Sequence, residues 1–129
     1  MKFKLAILCF LAFIPIGLGA ADLLDDIANA LRSGDAKSVS RYFGNTIDLT
    51  ILAKEEVYSK TQAEQVLKDF FLKNPPRSFS FLHKGESKEG ARYAIGTMTT
   101  SQGQVFRTYF FVKVKAGQPI IQELRFMME

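Results

Sequence analysis

The chain has one cysteine, Cys9, and one histidine, His83, among its 129 residues. A disulfide framework, a thiolate metal site and a histidine-rich metal site each need more of these residues, so all three are excluded. A nucleophile elbow and a glycine-rich phosphate loop are also absent from the sequence. We therefore expect no metal and no cofactor.

The sequence also lacks an apolar run of the roughly 20 residues that a membrane-spanning helix needs. Its N-terminal apolar run, 5–16, follows Lys2 and Lys4 and ends in small residues at 17–21. A basic start, a short apolar centre and a small-residue end are typical of a secretory signal peptide. A membrane anchor is the alternative, but the run is short and no basic stop-transfer segment follows it.

We expect residues 1–21 to be removed, with cleavage after Ala20 or Ala21. Leu8, which is not a small residue, directly precedes Cys9, so a lipid anchor at that cysteine is not expected. The mature protein is therefore predicted to be exported, periplasmic or secreted, without a stable membrane anchor.

The mature chain has little net charge. Without Lys2 and Lys4 it has 15 basic and 13 acidic residues, a net charge of +2. This balance gives no sign of the basic surface that nucleic acids need, and no nucleic-acid partner is expected. The 108 residues that remain are enough for one core and too few for two domains, so we expect a single domain over residues 22–129.

Periodicity and capping residues predict three helices and two strands in the first part of the domain. The third helix follows two overlapping capping boxes, Ser59 with Gln62 and Thr61 with Glu64. The second strand of this part is short. In order, we predict helix 22–34, helix 35–43, strand 46–52, strand 57–58 and helix 61–73.

The last part of the chain is a run of alternating segments with short glycine-containing breaks. We predict strands 78–84, 92–98, 105–114 and 120–126, with a charged hairpin loop at 85–90, and the last three strands form an antiparallel meander. One face of strand 105–114, called its dry face below, consists of apolar side chains except for Thr108. Helix 61–73 is the expected cover of that face. The fold class is therefore α+β.

Seven short segments carry a family resemblance: 30–35, 58–63, 70–71, 83–85, 93–96, 106–110 and 121–126. They resemble an uncharacterised family of small exported bacterial proteins, domain-of-unknown-function family 4783. The order of elements resembles the wider cone-shaped superfamily that includes nuclear transport factor two, ketosteroid isomerase and SnoaL-type cyclases. The resemblance implies a curved, mixed, mainly antiparallel sheet with three helices on its concave face, a pocket for a small apolar ligand, and dimers through the outer sheet face.

The candidate ligand pocket combines aromatic rings with a few polar groups. Gln122 alternates with Ile120, Leu124 and Phe126 on the expected inner face, and His83 alternates with Phe79 and Phe81. The expected pocket residues are Tyr42, Tyr58, Phe70, His83, Thr108 and Gln122.

The mixed outer face is the expected surface for a homodimer. Its candidate interface residues are Arg107, Tyr109, Phe111, Glu123 and Arg125.

We expect a non-catalytic binding or interaction module, because no acid and base converge in the sequence pattern. The alternative is an isomerase- or dehydratase-like enzyme that uses Asp48 or His83 with a tyrosine, since the enzymes of this superfamily use such groups. Asp48 shares the wet face of its strand with Thr46 and Thr50. His83 is more simply explained as a strand-end histidine that donates to a backbone carbonyl, or as an exposed residue beside a charged loop.

Overall fold

The computed structural model describes the backbone of residues 19–129 and the side chains of 23–87 and 89–129. Residues 1–18, most of the predicted signal peptide, lie outside this range, so its cleavage stays a prediction. No helix in the described part of the chain is both long and apolar enough to cross a bilayer. The elements are α1 (Gly19–Ser33), α2 (Ala36–Ser40), β1 (Phe43–Ile51), β2 (Lys54–Ser59), α3 (Lys60–Lys73), β3 (Pro76–Glu86), β4 (Arg92–Thr100), β5 (Val105–Lys115) and β6 (Gln118–Met128).

The six strands form one mixed sheet in the order β2-β1-β6-β5-β4-β3. The predicted meander is present as β4, β5 and β6, which pair with antiparallel neighbours. The first strand of the chain lies parallel to the last, β1 beside β6. This pair places the β1–β2 hairpin at one edge of the sheet and β3 at the other.

Side-chain caps begin both α2 and α3. The Asp35 carboxylate accepts hydrogen bonds from the Ser38 hydroxyl at 2.8 Å and the Lys37 amide at 3.1 Å, and these bonds lower the pKa of Asp35. Ser59 and Gln62 form the capping box of α3, one of the two predicted. The predicted end of the second helix at Phe43 is wrong, because Phe43 is buried in the sheet beside Ile121 and begins β1.

The helices cover one face of the sheet, which we call the inner face. The ring centroid of Phe70 on α3 lies 5.3 Å from that of Phe106 and 4.9 Å from that of Phe126. This contact confirms α3 as the cover of the dry face. Burying each of these side chains contributes about 1.5–3 kcal/mol, so they fix which face of the meander is inside.

Two bulges change which side chains reach the inner face. On β6, Phe111 is opposite Glu123 and Val112 is opposite Ile121, so Gln122 is an extra residue. On β3, the register shifts between Phe81 and His83. Since side chains alternate along a strand, each extra residue reverses the faces on one side of it.

Candidate functional site

A cavity of about 330 Å³ lies between α3 and the β1–β2 hairpin. Leu49 and Phe70, both buried, belong to its apolar walls, and Val66 and Tyr58 are half-buried there. Strands β1 and β2 contribute residues from their inner faces, because Ile47 is opposite Tyr58 and Ile51 is opposite Lys54. The cavity is lined by Leu49, Ile51, Leu52, Lys54, Tyr58, Val66, Asp69, Phe70, Lys73 and Asn74.

The edge of the cavity is polar. Lys54, Lys73 and Asp69 are exposed there, and the Lys54 ammonium lies 3.7 Å from the Glu56 carboxylate. The Tyr58 hydroxyl has no hydrogen-bond partner among the described residues. An apolar floor with a polar edge suits a molecule with an apolar body and a polar end.

Leu52, in the two-residue turn between β1 and β2, has a left-handed backbone with φ of 60° and is 43 % exposed. For a residue other than glycine, this backbone conformation costs about 1–2 kcal/mol of conformational free energy. The Leu52 amide donates to the Phe126 carbonyl at 2.7 Å, which holds the turn against β6. The turn therefore presents an apolar side chain at the edge of the cavity.

Of the six predicted pocket residues, Tyr58 and Phe70 line this cavity and the other four do not. Tyr42 is partly buried against the core. Thr108 is fully buried on the inner face, where its hydroxyl donates to the Phe106 carbonyl at 3.4 Å. Both lie outside the lining of this cavity.

The bulges explain why the other two residues, His83 and Gln122, lie away from the cavity. His83 is opposite Ile95 and shares its outer face, where the His83 Nε2 lies 3.1 Å from the Tyr93 hydroxyl oxygen. Gln122 lies on the outer side of β6 in a shallow depression that Asp48 and Val57 also line. Regular alternation predicted both side chains on the inner face, and that prediction is wrong.

The five predicted interface residues all lie on the outer face. Tyr109 is opposite Arg125, Phe111 is opposite Glu123, and the Arg125 guanidinium lies 5.6 Å from the centre of the Tyr109 ring. Burial and the nearby Glu123 carboxylate raise the pKa of the Tyr109 hydroxyl. Glu123 and Arg125, two residues apart on β6, form an ion pair with each other.

Arg107, the fifth of these residues, forms an ion pair with Glu129 at 2.7 Å. A groove of about 290 Å³ runs across this part of the face and is lined by Ile95, Arg107, Tyr109, Arg125 and Met127.

Asp48 and His83, the alternative catalytic residues, lie far apart on the outer face. Strands β6, β5 and β4 separate β1 from β3, a distance of about 19 Å at the usual strand spacing. Neither residue lines the cavity. The lining of this cavity therefore gives no support to the alternative, which needs one of the two residues in the pocket.

Sequence reasoning missed a carboxylate cluster on the outer face. Asp48, Glu55 and Glu123 place carboxylate oxygens within 4.8 Å of one another. A hydrogen bond to Asp48 and the negative charge of Asp48 raise the pKa of Glu55. The three residues come from β1, β2 and β6, so no sequence spacing indicates the cluster; only the predicted wet face of β1 pointed towards it.

Comparison with known proteins gives a family and a fold. The family model described as "Domain of unknown function (DUF4783)" matches residues 24–127. A DUF4783 protein from Bacteroides fragilis YCH46 is 27% identical, with a TM-score of 0.74, and the match covers 81% of this chain and 96% of that one. No curated protein matches the chain.

More distant crystal structures share the fold. An NTF-2-like protein of unknown function from Silicibacter pomeroyi DSS-3 is 12% identical with a TM-score of 0.62, covering 86% of this chain and 93% of that one. A domain with a cystatin-like fold from Nostoc punctiforme PCC 73102 is 10% identical with a TM-score of 0.65, covering 84% and 74%.

These likenesses confirm the predicted fold class, α+β with an NTF2-like, cystatin-like arrangement. The family match covers almost the whole domain predicted from the sequence, which supports the resemblance of the seven segments. The chain therefore belongs to the family of domains of unknown function DUF4783.

Proposed function

We propose that this protein is an exported, non-catalytic binding module that holds a small apolar molecule between α3 and the β1–β2 hairpin. The observation that supports it most directly is the apolar cavity on the inner face, with Leu49, Val66 and Phe70 among its walls. Its volume of about 330 Å³ is at the lower end of the range of about 300–1,000 Å³ that is usual for small-molecule sites.

The edge of the cavity favours a ligand with an anionic or hydrogen-bonding end. Lys54 is paired with Glu56, Lys73 has no ion-pair partner among the described residues, and the Tyr58 hydroxyl is free to bond a polar group. Export is supported by the N-terminal sequence, in which Lys2 and Lys4 precede a short apolar run. A saturated fatty acid combines the apolar body and anionic end that this cavity would accept.

The binding proposal is tested with a series of saturated fatty acids and the matching alcohols, measured by native mass spectrometry and thermal shift. We expect saturable binding that Val66→Trp abolishes, because the indole fills the cavity. Leu72 lies on the same helix and its side chain is 70 % exposed. Leu72→Trp is therefore the matched control and should bind the ligands as the unsubstituted protein does. The proposal fails if no member of the series binds, or if both variants bind equally well.

A second candidate function is association of two copies through the outer sheet face. The groove beside Tyr109 and Ile95 is bordered by Arg107 and Arg125, while the acidic groups of Asp48 and Glu55 lie towards the β2 edge. A two-fold arrangement can bring the basic part of one copy against the acidic part of the other. This face therefore has self-complementary charge around an apolar centre.

The association proposal is tested by light scattering after size exclusion. We expect a dimer, and we expect Tyr109→Glu to give a monomer because it places a charge in the apolar groove. Leu72→Glu replaces an exposed apolar residue away from this face and should leave the dimer unchanged. A monomeric unsubstituted protein at its highest soluble concentration would rule the proposal out.

A further inference from the structure

The carboxylate cluster on the outer face is built from three neighbouring strands. Asp48 on β1 lies beside Glu123 on β6 in the parallel pair. Glu55 on β2 is opposite Thr50, two residues along the same face from Asp48. Carboxylate oxygens of the three acids lie within 4.8 Å of one another, so they surround one small volume rather than forming a row along the sheet.

Thr50 gives a second, independent observation at this place. It is only 8 % exposed, and its hydroxyl oxygen is shielded from solvent without a hydrogen-bond partner among the described residues. In the sheet it lies between Glu55 and Arg125, on the same outer face as the cluster. A buried hydroxyl without a partner is unfavourable. A cation bound beside this oxygen would accept its lone pair and remove that cost.

One carboxylate oxygen of Asp48, Oδ1, is in the same condition, since it is shielded and has no partner among the described residues. Its neighbour Glu123 is already paired with Arg125, and this hydrogen bond raises the pKa of the arginine. Three carboxylates and one guanidinium leave two negative charges when all are ionised. The cluster therefore matches the charge of a divalent cation.

We propose that Asp48, Glu55, Glu123 and the Thr50 hydroxyl bind a calcium ion on the outer face of the sheet. All four residues offer oxygen atoms, the ligands that hard cations prefer over nitrogen and sulfur. Two calcium–oxygen bonds of about 2.3–2.6 Å span the separation of the carboxylate oxygens. Calcium also tolerates the irregular geometry that three strands and an exposed glutamate side chain provide.

The site is distinct from the apolar cavity. Its ligands lie on the outer face, whereas the cavity lies on the inner face beneath α3. The sequence did not predict it, because the absence of cysteine and of a second histidine excludes only nitrogen- and sulfur-rich sites. Calcium binding at the cluster and ligand binding in the cavity can therefore be measured separately on the same variants.

Isothermal titration of the chelator-treated protein with calcium chloride tests the proposal, with magnesium chloride as the comparison. We expect one saturable calcium site that binds more tightly than magnesium, and a rise in melting temperature when calcium is added. Glu55→Gln should weaken calcium binding by at least about tenfold, as expected for loss of a ligand. Because Glu55 is exposed on an edge strand, this variant is expected to fold, which circular dichroism checks.

Glu56→Gln is the matched control. Glu56 is the next residue of β2, has the same charge and is opposite Leu49 on the inner face, so this variant should bind calcium as tightly as the unsubstituted protein. Thr50→Val, which replaces the hydroxyl with a methyl group, should weaken binding less than Glu55→Gln does. The proposal is overturned if calcium does not saturate a site, if Glu55→Gln binds normally, or if Glu56→Gln is weakened equally.

Discussion

Gly96 on β4 is where the sheet leaves no room for a side chain. A Cβ atom at this position would lie 2.6 Å from the Ser80 carbonyl oxygen and would also meet the Phe79 ring. Phe79 is buried on the inner face and packs its ring 5.3 Å from that of Phe81. The absence of a side chain at Gly96 therefore lets the β3 aromatic residues lie across β4.

Gly96→Ala should lower the free energy of unfolding by about 1–3 kcal/mol, because the added methyl group overpacks the core. Gly44→Ala is the comparison, since its Cβ would meet the end of the Ile120 side chain at 3.1 Å and the Thr46 carbonyl oxygen at 3.5 Å. That change should cost less than about 1 kcal/mol. Urea denaturation of the two variants checks the difference, and equal losses would contradict the packing at Gly96.

At the scale of the element, the bulge at Gln122 decides how β6 faces the core. Regular alternation places Ile120 inside and Ile121 outside. The structure has the reverse, with Ile121 fully buried beside Phe43 and Ile120 half-buried at the sheet's other face. The two isoleucines thus have the same chemistry and opposite positions, which makes them a matched pair.

Ile121→Ala should destabilise the protein by about 2–5 kcal/mol, because it leaves a cavity in the core. Ile120→Ala should cost clearly less, since its side chain is already half-exposed. Thermal and chemical denaturation of both variants measures the difference. The reverse order would show that β6 alternates regularly and has no bulge.

A second element-scale prediction concerns the start of α3. Ser59→Ala removes the hydroxyl that accepts from the Gln62 amide at 3.2 Å, so the free energy of unfolding should fall by about 1 kcal/mol. Thr61→Ala, in the alternative capping box that the structure does not use, should change it by less. Chemical denaturation distinguishes the two boxes, and a larger effect at Thr61 would be the contrary result.

At the scale of the whole molecule, one core joins the helices to the sheet. Leu31 of α1, Leu67 of α3 and Phe110 of β5 are fully buried within the same cluster. The outer face has no such cover in the described part of the chain, and its half-buried aromatic residues lie beside charged ones. The molecule therefore has one sheet face that is buried in the core and one that no helix of the described part of the chain covers.

Because the core is continuous, we expect a single cooperative unfolding transition. Leu31→Ala should lower the free energy of unfolding by about 2–5 kcal/mol. The midpoint of the transition should fall equally in far-ultraviolet circular dichroism and in tyrosine fluorescence. Gln65→Ala, at an exposed position of α3, should leave both midpoints nearly unchanged. Separate transitions from the two probes would show that the helices and the sheet unfold independently.

The amino-acid sequence by itself determined the features that depend on local patterns. The amphipathic face of α3, the cap at Ser59, the meander from β4 to β6 and the dry face of β5 follow from periodicity and capping over a few neighbouring residues. Of the six predicted pocket residues, Phe70 belongs to the same category, since it lies on the apolar face of α3.

Only the tertiary structure decided the features that depend on register between distant strands. The bulges at Leu82 and Gln122 moved His83 and Gln122 to the outer face, and the parallel pairing of β1 with β6 brought Asp48 beside Glu123. A single extra residue in a strand reverses every side chain beyond it, and partner strands far along the chain determine where that residue is accommodated. For that physical reason the sequence predicted the elements of this protein but not the carboxylate cluster on its outer face.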